Sequence, residues 1–99
     1  MFIVLLEYVR PLEELDRHVA AHRAHLAELF AARKLVMSGP QVPRNGGVII
    51  ARLETRGEVE TMMQADPFIR EGVATYRIIE FVARAAVPEL AAFIEQEGA

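Results

Sequence analysis

The sequence predicts an α+β fold of the ferredoxin-like split kind, β-α-β-β-α-β: a four-stranded antiparallel sheet with two helices on one face. Three observations lead there. Short β-branched and aliphatic runs at Phe2–Val9, Leu35–Ser38, Val48–Leu53 and Thr75–Ala83 read as strands. Between the first two runs, apolar residues at Leu12, Leu15, Val19, Leu26 and Leu29, with Phe30 alongside, trace the stripe of an amphipathic helix. Between the last two, Thr55 precedes a helical stretch with Glu58 three residues on, the signature of a capping box.

Each element has a local reason. Phe2–Val9 is too short and too rich in β-formers for a helix, and Arg10-Pro11 ends it. Pro11 suits a first helical turn, and Glu13, Glu14 and Asp16 suit the positive end of the helix dipole, so the first helix is expected from Leu12 to about Lys34. Leu35–Ser38 is a short strand. Gly39-Pro40, Pro43 and Asn45-Gly46-Gly47 then mark a reversing loop before Val48–Leu53. The second helix is expected over Gly57–Ala65. Asp66-Pro67-Phe68 follows as a turn leading through Gly72, with aspartate as N-cap and proline at the first helical position. Thr75–Ala83 is the last strand, and Val87–Gln96, opened by Pro88, reads as a short terminal helix.

The 99 residues suggest one domain, with a core over residues 1–83 and a helical extension over 84–99. A net charge of −3 gives no reason to expect nucleic acid or an anionic membrane. No run reaches the roughly 18 apolar residues that a membrane span needs. The opening MFIVLLEYVR lacks the basic start and small-residue cleavage site of a signal peptide. With no cysteine, disulfide and thiolate chemistry are excluded, which fits a soluble, cytoplasmic protein. Phe2–Leu6 and Val48–Ala51 are apolar on both faces, whereas two helices cover only one. The uncovered face predicts a homodimer.

His22 interrupts the first helix's stripe, between Val19 and Leu26. An imidazole there needs a partner: a backbone carbonyl in a core histidine, or a carboxylate in a general acid or base. Asp66 is the best candidate carboxylate, and capping a turn does not prevent it, because one oxygen can cap while the other accepts an imidazole N–H. Ser38, at the end of the second strand, reads as a turn residue or as a donor to a substrate oxygen. Arg44 reads as a solvated loop cation or an anion ligand, and Phe68 and Tyr76 as candidate walls of an apolar pocket. His18, His22 and His25 share one helix, but their spacing is not H-E-x-x-H, so no metal site is assigned. No G-x-S-x-G elbow accompanies Ser38, which argues against an acyl-transfer triad. No cofactor is expected. Whether Glu7, Tyr8, Arg77 and Glu80 point inward depends on strand register.

The apolar opening FIVLLEY, the helix segment AAHRAHL, LVMSGP, the glycine pair before VII, and ADPFIREG occur in an order and spacing that resembles the YCII-like (YciI-related) family over Met1 to about Val82. The resemblance implies a dimeric α+β barrel and a site of His22 and Asp66 with Ser38 nearby. This chain departs from the family where Arg33-Lys34 replaces the glycine before the second strand, and where Arg23 follows the histidine in place of a preceding arginine–proline. Similar proteins include a dehydrochlorinase of a chlorinated hydroxyquinol, and the wider fold group includes muconolactone isomerases. The resemblance therefore implies cofactor-independent proton transfer, of isomerase or lyase type, on a small cyclic or aromatic compound. The alternative is a module that binds a small ligand or another protein without chemistry.

Overall fold

The computed structural model describes residues 1–94. Strands β1 (Phe2–Tyr8), β2 (Leu35–Pro40), β3 (Gly46–Ala51) and β4 (Ala74–Glu80) form one sheet in the order β2-β3-β1-β4. All three neighbouring pairs are antiparallel. Helical segments α1 (Leu12–Asp16), α2 (Val19–Ala31), α3 (Arg56–Gln64) and α4 (Pro67–Arg70) connect them. This is the ferredoxin-like α+β arrangement that the strand and helix order predicts.

Side-chain alternation sorts β1 into two faces. Phe2, Val4 and Leu6 are buried, and with Ile49, Ala51 and Ile78 they form the sheet's inner face against Leu15, Leu26, Val59 and Met63. On the opposite face Ile3, Leu5, Val48 and Ile50 are half-buried, while Met37 and Ile79 are 50% and 39% exposed. Both faces are apolar, as the strand sequences indicate.

Several boundaries differ from those predicted. The first helix is broken at Arg17-His18, where His18 leaves helical geometry with φ −112° and ψ 0°. No proline or glycine marks the break. It accompanies complete burial of Leu15 and an ion pair from Asp16 to the loop between β2 and β3, so tertiary contacts override local propensity. The helix also ends at Ala31 rather than near Lys34. Arg33 is left-handed at φ 60°, and the Lys34 N–H donates to the Leu29 carbonyl at 2.9 Å, closing a Schellman motif.

Gly46 and Gly47 belong to β3 and not to the turn, and β3 ends at Ala51 rather than Leu53. At Gly46 a side chain is excluded by close approach: an added Cβ would lie 2.1 Å from the Leu6 carbonyl oxygen. β2 runs to Pro40 instead of Ser38, with a register shift between Leu35 and Met37, and β4 covers Ala74–Glu80 rather than Thr75–Ala83. The expected terminal helix is a 3₁₀ segment over Pro88–Phe93; it buries no residue, and so lacks the apolar face that stabilises a short α-helix. The predicted end of that helix at Gln96 lies outside the described residues. Thr55 caps α3 as expected, its Oγ1 accepting the Glu58 N–H at 3.1 Å.

Candidate active site

Asp66 is fixed before any ligand is considered. Its own N–H donates to the Met63 carbonyl as α3 ends, and its Oδ1 accepts the Phe68 N–H at 2.9 Å, capping α4 with Pro67 at the first turn. The residue is completely buried. A buried carboxylate with one backbone donor still needs a further hydrogen-bond donor.

His22 supplies it. Its Nδ1 lies 2.9 Å from Asp66 Oδ1 and 3.0 Å from Oδ2. A carboxylate only accepts, so Nδ1 carries the proton and donates. In the neutral ring Nε2 is then the nitrogen with the free lone pair, and among the described residues it has no hydrogen-bond partner. The imidazole lies flat on Phe68, with ring centres 4.0 Å apart and planes 7° from parallel. Phe68 in turn meets Tyr8 edge-on at 5.9 Å. The ring is thus fixed by the carboxylate and by the phenyl face, while 16% of its side chain stays exposed.

His22 lines a cavity of about 570 Å³ between α2 and the inner face of the sheet. That is ample for a small organic molecule. Ser38 borders it from β2, opposite Ile49 in register, and Arg44 borders it from the loop between β2 and β3. The Arg44 Nη2 donates to Asp16 Oδ1 at 2.8 Å, and its guanidinium lies 6.0 Å from the centre of the Tyr8 ring. The hydrogen bond to Asp16 raises the Arg44 pKa above its ordinary value.

The remaining predicted residues divide. Phe68 is brought to the site. Tyr76 is not among the residues lining this cavity: its side chain shares the inner face of the sheet, but its hydroxyl donates to Glu60 and accepts from Gln64 Nε2 at 3.3 Å, tying β4 to α3. Burial first, and the Glu60 carboxylate second, push its pKa up. Tyr8 and Asp16 take part in the cavity without having been singled out. Tyr8 depends on strand register, and Asp16 on the helix break.

His25 Nε2 donates to the Met62 carbonyl at 3.0 Å, one of the acceptors left over at the end of α3, and His18 stands at the break before α2. Among the described residues no three His, Cys, Asp or Glu side chains converge as a metal site requires, and no helix is long and apolar enough to cross a membrane.

No curated protein matches the chain. Among solved structures it is similar to the 5-chloro-2-hydroxyhydroquinone dehydrochlorinase TftG from Burkholderia phenoliruptrix AC1100, determined in complex with 2,5-dihydroxybenzoquinone. The two share 24% identity with a TM-score of 0.71, over 84% of this chain and 95% of that one. At that identity the likeness shows the fold. The YCII-related domain matches residues 1–82, all four strands and the helices between them. The terminal 3₁₀ segment lies beyond the match, and the chain that precedes it belongs to the YCII-related family.

Proposed function

We propose that this protein is a small-molecule enzyme in which His22 is the general base and acid and Asp66 its orienting carboxylate. The supporting observation is the one-sided imidazole: Nδ1 is committed to a buried carboxylate, and Nε2 has no partner among the described residues, in a ring that lines a cavity. In this reading Nε2 removes a proton from a carbon next to a carbonyl or enol. The imidazolium that forms is stabilised by Asp66, and the Ser38 hydroxyl hydrogen-bonds the substrate oxygen as charge grows on it. The proton is then returned at another position in an isomerisation, or the electron pair expels a leaving group in an elimination. TftG, a dehydrochlorinase by name, shares the fold and makes the elimination worth testing first.

The test is turnover of chlorinated hydroxyquinols and unsaturated lactones by wild type and by His22→Asn. The asparagine amide retains a donor for Asp66, so the fold is preserved while the base is removed. A loss of about 10²–10⁴-fold in kcat is expected. Full activity in His22→Asn would refute the mechanism, and ligand binding without turnover in wild type would favour the non-catalytic module. We further propose that the apolar outer sheet face is covered by a second copy. Leu5→Lys is then expected to shift a light-scattering mass from dimer to monomer, and a wild type that already scatters as a monomer would refute the pairing.

A further inference from the structure

Gly46 and Gly47 are neighbours with different reasons to be glycine. Gly46 has no room for a side chain because the backbone of β1 blocks it. Gly47 has normal backbone geometry, and an added Cβ would meet only the Gly39 carbonyl oxygen at 3.4 Å, an ordinary contact. In register it stands between Leu6 and Pro40 on the inner face, where it lines the cavity beside His22. Nothing in the backbone demands glycine there. What a side chain would occupy is the space above β3.

The cavity also carries its own charge pattern. Arg23 and Arg44 border it with Asp16, while the second carboxylate nearby, Asp66, lies buried behind His22 and is turned to its Nδ1, so the cations are the charged groups with donors left to offer. The Arg44–Asp16 pair is exposed, with side chains 38% and 58% accessible, and it engages one nitrogen of a group with five N–H donors. Asp16 therefore aims the guanidinium without exhausting it. The aromatic faces of Tyr8 and of the His22–Phe68 stack lie close by.

From these observations we infer that the cavity selects a flat-ringed ligand bearing one negative charge, with Gly47 setting the thickness it admits and Arg44 reading the charge. This rests on the proposed site for its location and deepens it by assigning the ligand a charge and a limit of thickness, each with its own residue. A ring can lie against the strand backbone only where no side chain intervenes, and an oxyanion gains a charge-assisted hydrogen bond from the guanidinium.

The experiment is titration of the full chain with benzoate, benzamide and cyclohexanecarboxylate, followed by amide NMR shifts. Wild type is expected to bind benzoate about tenfold more tightly than either neutral benzamide or the thicker cyclohexanecarboxylate, with shifts centred on β3 and α2. Gly47→Val is expected to weaken benzoate about tenfold or more, and Gly47→Ala by less. Arg44→Gln is expected to bring benzoate and benzamide within about threefold of each other. The alanine variant decides the size claim if the valine variant fails to fold. Equal binding of the three probes, no binding of any at millimolar concentration, or unaltered benzoate affinity in the foldable Gly47 variant would overturn the inference. Binding is read without turnover. A chain that prefers benzoate but shows no His22-dependent activity keeps the ligand class and loses the mechanism, and the converse result does the reverse.

Discussion

His22 and His25 are three residues apart on α2 and reach the same stretch of chain around the end of α3, yet their surroundings differ in kind. His25 donates from Nε2 to a neutral carbonyl, that of Met62. His22 donates from Nδ1 to the buried carboxylate of Asp66, and its other nitrogen has no partner among the described residues. One ring completes a helix end. The other is oriented by a carboxylate and set beside a cavity. Sharing a helix says little about what a histidine does; the partner's charge and the freedom of the second nitrogen decide it.

The comparison breaks most sharply through Asp66. Asp66→Ala removes a helix cap and leaves a half-buried imidazole without its acceptor. A loss of about 2–4 kcal/mol is expected in urea unfolding, together with loss of turnover. His25→Ala should cost only about 1 kcal/mol, from one hydrogen bond to an otherwise unsatisfied carbonyl, and leave activity intact. A His25→Ala variant as impaired in turnover as His22→Asn would erase the distinction between the rings. Their tautomers sharpen it further: imidazole nitrogen NMR on the neutral protein should show His22 protonated at Nδ1 and His25 at Nε2. The smallest effect lies at the far end of the same helix. Arg33 holds a left-handed φ of 60° that glycine adopts freely, so Arg33→Gly should raise stability by about 0.5–1 kcal/mol without altering either ring.

Tyr76 gives a separate pH test. Its pKa is raised in the folded chain, so the native state holds the phenol proton more tightly than the unfolded state does. Its contribution to stability is complete below the ordinary value of 10.0 and is lost as pH rises from there through the folded value. Tyr76→Phe should flatten that alkaline decline in thermal melts.

The element order was legible in the sequence because strands and helices carry different apolar periods, and the Thr55 and Asp66 caps because their side-chain chemistry is local. The meeting of His22 with Asp66 was legible because a polar ring in an apolar stripe narrows the choice of partner. Other features depend on contacts between distant segments. The break at Arg17-His18 has no local breaker, and Gly46 entered β3 because β1 passes close to it. Tyr76 has the composition of a pocket wall, but its hydroxyl is held by Glu60 on α3, a contact between segments that no local pattern announces. Tyr8 needed the strand register before its side could be known.

Oδ1 of Asp66 serves both the Phe68 N–H and the His22 ring, so a single atom links the integrity of α4 to the orientation of the imidazole. Loss of that atom is expected to free the imidazole and to fray the turn before β4 together, so protease sensitivity should report on the orientation of the ring.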